Sequence, residues 1–123
     1  MEFFGELLAE LRKDKKLSQK ELADIFHLAA STISSYEMGV HSPHVDQLAK
    51  FADYFNVSTD YLLGRTSSDL SPQVLEETFV DNIKVGSVID ILKSLPEDRR
   101  RALWLLLKDV HLSNTIRKAK YRR

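Results

Sequence analysis

The side chains able to do covalent or metal chemistry are few and scattered in this chain of 123 residues, which has four His and no Cys. Without Cys there is no disulfide framework, no thiolate zinc site and no cysteine nucleophile. His41 and His44 stand three apart, a ligand spacing on a helix, but Pro43 sits between them and no carboxylate completes a set. Ser31, Thr32, Ser34 and Ser35 form a run of hydroxyls with no His and acid spaced to activate one of them as a nucleophile. Paired carboxylates and a Gly-rich phosphate loop are also missing from the sequence, so no enzyme activity, metal or cofactor is expected. What the hydroxyl run offers is short-range hydrogen bonding. With Ala30, Ser31, Thr32 and Ser35 turned outward on one helix, small side chains are presented that can approach base edges in a major groove.

Such a helix needs a scaffold to aim it, and the flanking residues supply one. Gln19 to Met38 reads as two short helices joined by a tight turn, with Ala23 where they cross and Leu22, Phe26, Leu28, Ile33 and Tyr36 to lock their angle. Ser18, with Glu21 three residues later, is a capping box that opens the first of the pair. Gly39 ends the second as a left-handed stop. Upstream, Phe4, Leu7, Leu8 and Leu11 form the stripe of an amphipathic helix over Phe3 to Lys16. Downstream, Ser42-Pro43 predicts the cap and first turn of a fourth helix with a stripe of Val45, Leu48, Ala49, Ala52 and Phe55, ended by Asn56. Ser58 caps a last turn, Thr59 to Leu63, before Gly64.

These residues make the segment Phe3 to Gly64 resemble the phage repressor and Cro-type (XRE) helix-turn-helix family. The resemblance rests on Gln19, Leu22-Ala23, Ile33-Ser34, Tyr36-Glu37, Gly39, Pro43, Leu48-Ala49, Val57-Ser58 and Asp60-Tyr61-Leu62-Leu63. It implies a five-helix lambda-repressor-like domain that binds double-stranded DNA. Gln19 would contact the DNA backbone and nearby bases, Lys20 would stand beside it, and Ala30, Ser31, Thr32 and Ser35 would face base edges. It further implies an Arg12 to Glu37 ion pair between the first and third helices, with Arg12 near a phosphate. Two positions depart from the pattern. His27 occupies a turn position that is often Gly, and the recognition helix lacks the Arg, Asn and Gln that make bidentate base contacts.

Charge is distributed in keeping with this. The formal net charge of zero divides into −4 over residues 1–64, six basic against ten acidic, and +4 over the rest, twelve against eight. Five of the six early basic residues lie between Arg12 and Lys20, beside the expected recognition helix. Phosphate neutralisation supplies much of the affinity for duplex DNA, so a domain at −4 is expected to bind modestly and with strong salt sensitivity.

The remaining chain reads as a linker or irregular arm over 65–86 and a helical dimerisation region over 87–123 with a basic end, giving an all-α protein. Val88, Ile91, Leu92 and Leu95 suit a short helix, and Ser94 with Glu97 around Pro96 repeats the capping-box spacing ahead of a long one. The run Ala102 to Leu107 is apolar on every face and needs cover. Leu92, Leu103, Trp104, Leu106, Leu107 and Val110 are therefore expected at a homodimer interface, the alternative being that the tail folds back on the first domain. The basic end, Arg117, Lys118, Lys120, Arg122 and Arg123, has three readings open to it: DNA, an acidic partner, or solvent. The leading functional expectation is a dimeric repressor on a palindromic operator. The other is an antitoxin or antirepressor-partner module whose tail binds a second protein, with an antirepressor, toxin or protease as that partner. No window approaches the roughly 18 apolar residues of a membrane span, and no secretion signal is visible, so a cytoplasmic protein without membrane contact is expected.

Overall fold

Helix boundaries in the computed structural model, which describes residues 2–122, follow the apolar spacing closely. The first unit, Met1–Val74, carries α1 (Glu2–Asp14), α2 (Gln19–Ile25), α3 (Ala30–Glu37), α4 (Val45–Phe55) and α5 (Thr59–Leu62). α3 packs on both α1 and α2, and α5 closes against α1 and α4. Phe4, Leu8, Leu22, Ile33, Phe51 and Leu62 are its most deeply buried large side chains. Phe51 is the hub. Its ring meets Phe26 edge-on at 4.7 Å between centroids and lies 6.2 Å from both Phe4 and Tyr36, so α1, α2, α3 and α4 share one aromatic contact.

All five helices stop in the same way. A residue in the left-handed region follows each, at Lys16, His27, Gly39, Asn56 and Gly64, with φ between 54° and 74°. The next N–H then reaches five residues back: Leu17 to Arg12, Leu28 to Ala23, Val40 to Ser35, Val57 to Ala52 and Arg65 to Asp60, at 2.8–3.1 Å. These bonds satisfy carbonyls that the helix ends leave open, and they turn the chain sharply enough to fit five helices around one small core.

The fourth helix differs from the sequence expectation. It opens at Val45 with His44 at the N-cap, two residues after the Ser42-Pro43 pair, because the chain leaving Gly39 crosses in a non-helical segment before it can turn inward. Its buried stripe is Leu48, Phe51, Ala52 and Phe55, whereas Val45 and Ala49 face solvent.

The second unit, Leu75–Arg123, contains a hairpin and two helices. A 3-10 turn, Pro72–Glu76, bridges the unit boundary. It is followed by antiparallel β1 (Thr78–Val80) and β2 (Ile83–Lys84), with Asp81 at φ 50° in their turn. The stretch 65–86, expected as a linker or irregular arm, thus carries ordered local structure. α6 (Val85–Ser94) packs on the hairpin, and α7 (Glu97–Tyr121) runs 25 residues. The capping box expected at Ser94 and Glu97 is absent. Pro96 occupies the N-cap of α7 with no side-chain cap bond, and the Ser94 hydroxyl donates to the Ile91 carbonyl within α6. Among the described residues of this unit no side chain is buried. No described helix is long and apolar enough to cross a membrane.

Candidate nucleic-acid interface

The prospective reading surface begins with the register of α3. Burial of Ile33 and Tyr36, three apart, fixes the inner face and rotates Ala30, Ser31, Thr32 and Ser35 outward. Ala30 and Ser31 are exposed, and Thr32 and Ser35 are half-buried at the flank. The helix starts at Ala29, an N-cap with no side-chain hydrogen bond, and ends in a stop in which Gly39 donates to the Tyr36 carbonyl and Val40 to the Ser35 carbonyl. That stop folds residues 40–42 back along the helix. His41 and Ser42 then join Ser31, Thr32, Ser35 and Tyr36 around a shallow notch of about 290 Å³. From sequence, Ser42 is expected at a helix start, and His41 at the surface or on a phosphate, without a link to the outer face of α3. The left-handed Gly39 was the signal that could have placed both, since a stop of this kind reverses the chain over the helix it ends.

Three residues brace this helix from behind. The Arg12 Nε donates to Glu37 Oε1 at 2.5 Å and its Nη2 to Glu37 Oε2 at 3.1 Å, while Nη1 donates to the Leu17 carbonyl at 2.7 Å. Gln19 Nε2 adds a bond to Glu37 Oε2 at 2.8 Å. One carboxylate at the end of α3 therefore ties α1 to α2, while Arg12 itself holds the turn between them at Leu17. The pair is nearly closed to solvent, with side-chain exposures of 11% for Arg12 and 8% for Glu37. The bonded Glu37 carboxylate holds the Arg12 guanidinium above its ordinary pKa, against burial, which acts the other way. The approach of α1 to this end of α3 is so close that a Cβ at Gly5 would lie 2.4 Å from the Tyr36 carbonyl oxygen. Gly5, unremarked in the sequence, thus sets the spacing of the site.

The basic cluster is less uniform than its spacing suggests. Arg12 is internal and compensated, and Lys15 sits 4.7 Å over the Tyr54 ring on α4. Lys13, Lys16 and Lys20 are exposed. Lys20 stands beside Gln19 in the first turn of α2, whose start is held by reciprocal bonds between Ser18 and Glu21. His41 and His44 are both exposed, and no group of three or more His, Cys, Asp or Glu converges among the described residues.

The six residues expected at a dimer interface all lie in the second unit. Trp104, Leu106, Leu107 and Val110 are exposed, with Trp104 at 61%, and Leu92 and Leu103 are half-buried. Leu105, Leu112 and Ile116 extend the exposed apolar surface of α7.

Two short helices locked across a small residue, the second with a small-residue outer face, define a helix-turn-helix protein. The helix-turn-helix family pattern matches residues 8–62. The chain is 41% identical to the HTH-type transcriptional regulator AnsR of Bacillus subtilis over 70 residues, 56% of this chain and 60% of AnsR. It is 39% identical to the HTH-type transcriptional regulator ImmR of the same organism over 89 residues, 72% of this chain and 67% of ImmR. Across 105 residues, 85% of each chain, it is 27% identical to the cryptic phage CTXphi transcriptional repressor RstR of Vibrio cholerae. The chain belongs to the XRE-type helix-turn-helix family of DNA-binding transcriptional regulators.

Proposed function

We propose that this protein is a sequence-specific, dimeric transcriptional repressor that reads a palindromic operator in the cytoplasm with α3 as recognition helix. The observation that carries the reading is the outer face of α3, where Ala30, Ser31, Thr32 and Ser35 are presented on a helix braced by Arg12, Glu37 and Gln19. Hydroxyls and methyls are short, so they contact bases only if the helix backbone comes close. The rigid brace and the absence of bulky groups on that face favour such an approach. In this reading Ser31, Thr32 and Ser35 donate to or accept from base edges, and Ala30 packs on a thymine methyl. Gln19 keeps a carbonyl oxygen and a second N–H beyond its bond to Glu37, and Lys20 supplies a phosphate contact. Arg12 positions α3 and lends only its remaining donors to a nearby phosphate.

Dimerisation is supported by a separate fact, the second unit's lack of any buried side chain among the described residues. A hairpin and two helices gain too little from such packing to offset their ordering entropy, so a second surface over Leu92, Leu103, Trp104, Leu106, Leu107 and Val110 stabilises them. Two copies then present two recognition helices to half-sites about one helical turn apart. Selection of bound duplexes from a random library by the full-length chain tests the proposal. Enrichment of a palindrome with fixed half-site spacing is the expected result. Failure to enrich any sequence would instead favour the interaction-module reading, in which the apolar tail serves an antirepressor, toxin or protease.

A further inference from the structure

The last turns of α7 have two unlike faces. Asn114, Arg117, Lys118, Tyr121 and Arg122 recur at helical spacing and line one shallow concavity. The Arg117 guanidinium lies 6.0 Å from the centroid of the Tyr121 ring, and all five side chains are exposed. Leu105, Leu112, Ile116 and Ala119, at intervals of seven, four and three residues, fall on the opposite side and continue the apolar surface toward the end of the helix. The sequence holds no Asp or Glu after Asp109, so nothing on this tract offsets its cations. Arg123, the last of the basic run, lies outside the described residues.

We propose that the Asn114, Arg117, Lys118, Tyr121 and Arg122 face of α7 is a second DNA-backbone site, binding duplex phosphates independently of base sequence. The inference rests on the DNA-binding reading above and adds a contact surface to it. Charge complementarity selects the ligand. Residues 1–64 carry −4, and within their basic cluster Arg12 is neutralised by Glu37 while Lys15 is held on Tyr54. Lys13, Lys16 and Lys20 stay exposed there, but in a domain at net −4 the surrounding acids oppose the gain from counterion release. The end of α7 is where positive charge gathers with no acid after Asp109 beside it. Two Arg on one face suit bidentate contact with phosphate oxygens, and Asn114 and Tyr121 add neutral hydrogen bonds of the kind that fix a backbone in register. The basic face follows the line of Leu103, Leu107 and Val110 at intervals of four and three, so its cations stand beyond the C-terminal end of the apolar surface expected to pair.

The test compares full-length wild type with Arg117→Gln/Lys118→Gln/Arg122→Gln on two duplexes, one selected from the random library and one of mixed sequence. Affinity is measured across a salt series. The triple variant is expected to lose roughly tenfold or more on both duplexes near 0.1 M salt, with the slope of log K against log salt shallower by about 0.9 per phosphate contact removed. Arg117→Lys/Arg122→Lys keeps the charge and should keep the slope. Lys120→Gln removes one charge from the flank next to Ile116 and should cost less per charge than the triple variant. An equal cost per charge would show a net-charge effect and overturn the site. Unchanged affinity and slope in the triple variant, while wild type binds both duplexes, would overturn this inference alone. Wild type binding neither duplex would overturn the DNA-binding reading beneath it. Vesicles of phosphatidylglycerol and phosphatidylethanolamine serve as the competing polyanion: loss of vesicle binding in the triple variant with DNA binding intact would assign the face to lipid and overturn the proposal.

Discussion

Glu37 is the residue on which the geometry of the reading helix depends. Its carboxylate accepts from two Arg12 nitrogens and from Gln19, all within 3.1 Å and nearly out of solvent. Removing one partner of such a pair leaves a charge with little water and no counter-ion, so Glu37→Ala is expected to destabilise the protein by about 3–5 kcal/mol in urea unfolding. A loss below about 1 kcal/mol would class it with ordinary surface pairs. The Ser18–Glu21 capping box gives a pH signature of known sign. The backbone N–H and hydroxyl of Ser18 hold the Glu21 carboxyl below the usual carboxylate range. A depressed folded-state pKa stabilises above the unfolded value of about 4.3 and loses that contribution as pH falls through the folded value. Glu21→Gln preserves the bond without the titration. Melting curves of the two proteins are therefore expected to converge as pH falls below about 4, and parallel curves would contradict the assignment. At this scale the capping box was legible because its spacing encodes it, and the Arg12 to Glu37 pairing because the family resemblance implied it. The bond from Gln19 to Glu37 and the tight approach at Gly5 were not, since each depends on how separate helices meet.

At the scale of elements, apolar spacing together with caps such as Ser58 located the helices of the first unit, and the misses have physical causes. Val45 and Ala49 fit a stripe drawn from Ser42-Pro43. The true helix is rotated so that Phe51 enters the core, and a stripe of Leu48, Phe51, Ala52 and Phe55 is equally present in the sequence. Lys16 and His27 take the left-handed stop without the Gly or Asn that announces it, so only the stops at Gly39, Asn56 and Gly64 are visible beforehand, with His27 readable through its family position. The hairpin at Thr78–Lys84 was missed because three- and two-residue strands give no measurable alternation. The start of α3 supplies the prediction here. Ala29 caps it without a side-chain acceptor, so Ala29→Ser and Ala29→Asp should each add about 0.5–1 kcal/mol of stability by filling that position. If α3 points its first turn at DNA, the Asp variant should bind duplex more weakly than the Ser variant despite equal or greater stability, because its charge faces phosphates. Equal binding by the two would contradict that placement.

For the whole molecule, the zero net charge conceals an acidic first unit with a well-formed core and a basic second unit with no buried side chain among its described residues. A net charge of zero gives no sign of nucleic-acid binding, whereas the gathering of cations between Arg12 and Lys20 does. The second unit was legible as helical and in need of cover, while its hairpin emerges only in three dimensions. Leu106→Asp places a charge on the exposed apolar surface of α7 and is expected to convert a dimer to a monomer by light scattering at micromolar concentration, with the first unit still folded. A dimer that survives this change would move the interface elsewhere. The central claim, that the outer face of α3 reads bases, is tested most directly by comparing the sequences selected from a random duplex library by wild type and by Thr32→Ala/Ser35→Ala. The account predicts relaxed base preference at symmetric positions of the operator in the variant, with the spacing between half-sites unchanged. Identical preferences from the two proteins would contradict it.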